Sequence, residues 1–220
     1  MRPDASFVLR VYTVLLGQLS CTILVVWAMV HFQSVQLVCL QHLHWWMPVC
    51  AMVGLVCLLG LYIHHWNTFA RLCCFVGFTL SCSLVLGGIG CDLVAGGHGW
   101  LMLRALSVTM LVIVCLTLFV ALAMDDVSAR HLWFQQLVLG CVLALMLVVY
   151  TVPLWPLSLF ARAVCGVMVF IAYFIVDTYR LVHDSTMHGG DPLLCAMELY
   201  VDVVNAFVFV VDALIHDSAE

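Results

Sequence analysis

Runs of about 20 apolar residues recur along this chain, each closed by a short polar break, and a helix of that length crosses a hydrocarbon layer about 30 Å thick. Seven such runs are present: Val11–Phe32, Trp45–Ile63, Leu72–Cys91, Leu101–Met124, Leu132–Val152, Leu157–Val176 and Leu193–Ile215. Between them lie Gln33–His44, His64–Arg71, Asp92–Trp100, Asp125–His131, a Pro153–Pro156 turn and Asp177–Pro192. No run alternates strictly between apolar and polar residues as a barrel strand does, and a helix satisfies its own backbone hydrogen bonds inside lipid. The pattern predicts an all-α integral membrane bundle of seven transmembrane helices, forming a single transmembrane domain over residues 1–220. Two arginines precede the first run and no small-residue cleavage site follows it, so it reads as a retained helix.

Composition closes off the other classes. The chain is 66% apolar and 9% charged, with a mean hydropathy of +1.19, whereas a soluble domain is about 25% charged. Such a chain cannot cover a water-facing surface. A net charge of −5 without a basic cluster excludes nucleic acid as a partner. All seven basic residues are arginines: Arg2, Arg10, Arg71, Arg130 and Arg180 fall on one side of the seven-span scheme, Arg104 and Arg162 on the other. The positive-inside rule then places the N-terminus in the cytosol and the acidic tail, Asp212 to Glu220, on the lumenal or outer side. The loops are too short for a separate domain, so function is expected within or between the helices.

The twelve cysteines form no CxxC pair and no metal-ligand spacing. Cys21, Cys50, Cys57, Cys82, Cys115, Cys141 and Cys165 sit in apolar runs, where a thiol packs as a small hydrophobe. Cys39 falls in an expected outer loop as a free thiol without an obvious partner. His42 and His44 flank Trp45 and Trp46, and His64 and His65 adjoin Trp66, which is the pattern of interfacial belts. Gly87-Gly88-x-Gly90 and Gly96-Gly97-x-Gly99 lack the strand–helix setting of a phosphate cradle and read as close helix contacts or turns.

Ionisable residues inside a span are the costly ones, about 2.5–3.5 kcal/mol each at the helix centre on insertion scales. Most charges here stand at span ends, where they reach water. The last two spans differ. Arg162, Gly166, Tyr173, Asp177, Arg180 and Asp184 recur at helical spacing on one face, as do Glu198, Asp202, Asn205, Asp212 and His216. Asp202 stands about 13 Å beyond Leu193 at ~1.5 Å per residue, too deep for its short side chain to reach the headgroups. In the seven-span scheme Asp177 and Asp202 occupy the same, cytosolic half and can approach each other. Two charges about 4 Å apart repel by ~4 kcal/mol at an effective dielectric near 20. A meeting pair is therefore expected to share one proton. It would clasp two helices when protonated, and repel or bind a cation when not. Carboxylates and an amide are also the hard oxygen ligands that Ca²⁺ takes. The bland alternative is that Arg180, one turn on, neutralises Asp177 as an ordinary ion pair.

The segment Ala172-Tyr173-Phe174-Ile175-Val176-Asp177-Thr178, followed by Met197-Glu198-Leu199-Tyr200-Val201-Asp202-Val203-Val204-Asn205-Ala206-Phe207, resembles the closing signature of the Bax inhibitor/TMBIM (Lifeguard) family. There an Asp-Thr-Gln precedes a Leu-Tyr-x-Asp-Ile-Ile-Asn-x-Phe. The opening, Phe7-Val8-Leu9-Arg10-Val11-Tyr12 with Leu15, Gln18-Leu19 and Thr22, is similar to that family's entry into its first helix. The chain departs from the pattern at Tyr179, which replaces the glutamine, at Leu9 and Arg10, and at Asp212. Lack of lysine with enrichment in valine and cysteine is compatible with herpesviral (cytomegalovirus-type) seven-helix relatives.

The resemblance implies a seven-helix bundle in the endoplasmic reticulum or another internal membrane. It also implies a pH-sensitive Ca²⁺ leak, or a regulator of stored Ca²⁺, that suppresses apoptosis. Asp177 and Asp202 take the sensor positions, as gate and as Ca²⁺ ligands. Glu198, Asn205 and Tyr173 are the expected lining, Arg180 the candidate latch, and lipid, Ca²⁺ and protons the expected partners, with Ca²⁺ as cargo and no cofactor. The alternative is a non-conducting membrane adaptor that alters the trafficking of other membrane proteins, including immune ones. No enzyme is expected: the serine motif Gly-x-Ser-x-Gly is absent, and only the aspartate pair formally suits an intramembrane protease. Nor do the short N-terminus and loops suit a seven-helix receptor.

Overall fold

Uninterrupted apolar sequence without strand alternation folds here into helix after helix. The computed structural model describes residues 5–63, 67–123, 159–183 and 191–217. They form α1 (Ala5–His31), α2 (Gln33–Leu61), α3 (Thr68–Ala95), α4 (Gly99–Ala123), α5 (Leu159–His183) and α6 (Pro192–Asp217), with no strand among the described residues. Among the described residues four helical stretches are long and apolar enough to cross a membrane: Ser6–His31, Gln33–Leu61, Thr68–Ala95 and Pro192–Ile215; shorter apolar stretches run over Gly99–Leu111 and Cys165–Thr178. The protein is thus a multi-pass, all-helical membrane protein. The expected span Leu132–Val152 lies outside the described residues.

The helices overrun the apolar runs, most of all in α2. Gln33–His44, expected as an outer loop, is helical, and only Phe32 (φ −85°, ψ 104°) separates α1 from α2. The physical reason is local: that stretch holds no glycine or proline, and Val35, Leu37, Val38, Leu40 and Leu43 interleave its glutamines and histidines. A polar residue at a membrane surface does not break a helix; it only marks where water begins. Cys39 is accordingly not a loop thiol but a buried helix residue, 5% exposed. By contrast α3 stops where backbone geometry demands it. Gly97 adopts φ +79°, and the Gly96, Gly97 and His98 N–H groups donate to the carbonyls of Asp92, Val94 and Leu93 at 2.9, 3.1 and 2.8 Å. That is a glycine-terminated helix end of the kind an L side chain rarely permits.

The chain packs as two units, one of Val11–Met102 and one of Met1–Arg10 with Leu103–Glu220. In the first, α2 lies against α3, and glycines set their closeness: a Cβ on Gly54 would meet Ser81 Cβ at 3.3 Å, and one on Gly88 would meet Leu43 and Trp46 at 3.2 Å. The Gly87-Gly88-x-Gly90 run is therefore a helix contact. A buried polar seam joins α1 to α3. Gln18 Nε2 donates to Thr79 Oγ1 at 3.1 Å, and Ser83 Oγ to Thr22 Oγ1 at 3.0 Å. The hydroxyls of Thr22 and Thr79 also donate to carbonyls one turn back, both at 3.0 Å, and the single Ser83 proton is shared between Thr22 Oγ1 and the Thr79 carbonyl, which lies 2.6 Å away. With little hydrophobic drive between helices in lipid, such bonds and small-residue contacts hold neighbours together.

Candidate functional site

The second unit contains α5 and α6, packed side by side. α6 starts where sequence chemistry allows. Asp191 accepts from the Leu193 N–H at Oδ1 (3.0 Å) and from the Cys195 N–H at its carbonyl (3.3 Å), and Pro192 takes the first position, where its missing N–H costs nothing. The helix then buries Leu194, Cys195, Ala196, Met197, Leu199 and Tyr200 in succession. α5 approaches closely at Gly166, where any Cβ would run into the Phe209 ring. One turn on, Phe170 stacks on Phe209 with centroids 5.5 Å apart and planes 26° from parallel.

This packing sets the depth of Asp202, which is buried at 6% exposure. Asp177, half-buried on α5, faces it, and the two carboxyls are in side-chain hydrogen-bond contact. Glu198, one turn before Asp202, adds a further negative charge acting on it. Tyr173 lies within electrostatic reach of both aspartates. Among the described residues no N–H or hydroxyl donates to the buried Oδ2 of Asp202, and the buried hydroxyl of Thr178 beside Asp177 has no hydrogen-bond partner. Asn205 is half-buried one turn beyond Asp202, and Arg180 half-buried one turn beyond Asp177.

A cavity of about 50 Å³ reaches Asp202 from the side of α4, bounded by Thr109, Val167, Phe170, Phe174, Ala206 and neighbouring apolar residues. Of the residues singled out by sequence, Asp202 lines it; Tyr173, Asp177, Arg180, Glu198 and Asn205 do not. Thr109, whose buried hydroxyl has no hydrogen-bond partner among the described residues, has no counterpart in the sequence reading, because a lone threonine in an apolar run carries no motif. Among the described residues no three His, Cys, Asp or Glu side chains converge as a metal site. Two facing carboxylates alone fall well short of the 6–8 oxygens that a resident Ca²⁺ takes. The arrangement can hold a proton between two helices, or release it and set two like charges against each other.

With that geometry in place, comparison with known proteins gives one match. The family model for Bax1-I, described as inhibitor of apoptosis-promoting Bax1, aligns with residues 4–218. No curated protein and no solved structure matches the chain.

Proposed function

This chain belongs to the Bax inhibitor family, and from that premise we propose that it is a pH-responsive Ca²⁺ leak, or a regulator of stored Ca²⁺, that restrains apoptosis from an internal membrane such as the endoplasmic reticulum. The observation that carries the reading is the buried contact between Asp177 on α5 and Asp202 on α6. A carboxylate has no donor, so two carboxyl groups can bond each other only when one of them is protonated. In that state the proton clasps α5 to α6. When it leaves, two negative charges, with Glu198 nearby as a third, press the helices apart or attract a cation. Ca²⁺ is cargo in this scheme. Two carboxylates without further ligands bind it weakly enough for it to pass on, which conduction requires.

Family membership supports the apoptosis-related part, and the acidic pair supports the proton-gated part. The test is Ca²⁺ efflux from proteoliposomes holding the purified protein, measured over a pH series. Efflux that rises as the shared proton is lost is the expected result. No efflux at any pH, with normal Ca²⁺ stores in expressing cells and altered surface levels of other membrane proteins, would replace the leak with the adaptor.

A further inference from the structure

We propose that Cys39 and Cys91 form an interhelical disulfide that ties α2 to α3 on the lumenal or outer face of the membrane. The antiparallel register of the pair leads to it. As α2 runs back from Cys57 through Gly54 and Trp46, its neighbours on α3 run forward from Gly77 through Ser81 to Gly88. Carried one further step, that register sets Cys39 opposite Cys91. The packing agrees: Cys39 and Cys91, 5% and 0% exposed, share one buried cluster with Met29, and their thiols are in side-chain contact. Both are free thiols, and the Cys91 thiol donates to the Met29 carbonyl at 3.5 Å. The Trp46 Nε1–H donates to the Cys39 carbonyl at 3.0 Å and fixes the backbone there. A disulfide needs Cα atoms within about 4.4–6.8 Å, a separation that helices brought together over glycine can reach.

The same helix pair carries its own control. Cys74 lies near Cys57 and Cys73 toward the opposite end of α2 and α3. The arginine distribution puts that end in the cytosol, where thiols stay reduced, and the Cys39–Cys91 end on the side where disulfides persist. The oxidant is a disulfide donor of the secretory compartment, acting before the pair is fully packed away. The Cys39 thiolate attacks one sulfur of the donor and expels the other as a thiol. The Cys91 thiolate then attacks the Cys39 sulfur and expels the second. One S–S bond forms and one breaks, two electrons pass to the donor, and its two sulfurs leave as thiols carrying the protons that the cysteines lost. Trapped between Met29, Leu43, Trp46 and Leu84, the bond would be slow to exchange.

The test uses the full chain in cells. Membranes are denatured in SDS with excess N-ethylmaleimide, digested without reductant and mapped by mass spectrometry. The expected result is a Cys39–Cys91 linked peptide that disappears on reduction, loss of N-ethylmaleimide labelling at both positions, and retained labelling at Cys57 and Cys74. Cys39→Ser should restore labelling of Cys91, and Cys57→Ser should not. The wild-type map decides the matter even if Cys39→Ser misfolds. Full labelling of Cys39 and Cys91 in the wild type, or a link from either to a different cysteine, overturns the assignment. This site does not depend on the proposed ion pathway, and either can fail alone.

Discussion

Replacing Asp202 by asparagine keeps size, shape and an acceptor while removing the charge that the α5–α6 contact turns on. Asp202 is buried against Asp177. Two charges about 4 Å apart at an effective dielectric near 20 repel by ~4 kcal/mol. Each ~1.4 kcal/mol is tenfold in an equilibrium constant, so loss of the shared proton biases the clasped-to-parted equilibrium by up to about a thousandfold. The wild type should therefore release Ca²⁺ faster as pH rises through the titration of the pair. In Asp202→Asn only one carboxylate remains at that contact, and the asparagine amide can donate to it at every pH. The clasp should stay shut and efflux should be low and flat with pH. The assay is efflux from proteoliposomes with internal dye, alongside size-exclusion profiles and helical circular dichroism to show that the variant is folded. A folded Asp202→Asn protein with the wild-type pH response would refute the reasoning outright.

Other consequences follow from packing. A Cβ at Gly166 collides with the Phe209 ring, so Gly166→Val should destabilise the α5–α6 contact by about 1–3 kcal/mol, seen as a lower Tm in detergent. Adding Phe209→Leu should recover part of that loss, because neighbouring sites are not additive. In the α1–α3 seam, Thr79→Val strands the Gln18 amide that donates to it; it should cost about 1–3 kcal/mol, and the Gln18→Leu/Thr79→Val pair less than the two singles together. Asp191→Ala removes the acceptor that holds the Leu193 N–H and should cost about 0.5–2 kcal/mol. Faster amide exchange confined to the first turn of α6 is the readout.

The polar residues of the apolar runs mark how far sequence reading reaches. Gln18 and Thr22 enter the sequence reading only through a family motif; in the fold their side chains help bond α1 to α3. Their partners Thr79 and Ser83 carry no motif, since a hydroxyl that bonds its own helix one turn back looks the same in sequence whether or not it also reaches a neighbour. Cys39 shows the same limit from the other side. A polar stretch was legible as polar, but whether it bends into a loop or continues as helix depends on backbone breakers, and it holds none.

Hydropathy and charge are sums over neighbouring residues, so the sequence alone determined that this chain is a helical, multi-pass membrane protein. It also marked the positions of its costly carboxylates, because helical period and span depth are one-dimensional quantities. Which side chains meet is a different kind of fact. The contact of Asp177 with Asp202, the stacking of Phe170 on Phe209 and the apposition of Cys39 and Cys91 depend on the rotation and register of one helix against another. Those are set by where glycines let backbones approach and where aromatic rings hold them, and only the folded arrangement of all the helices decides that.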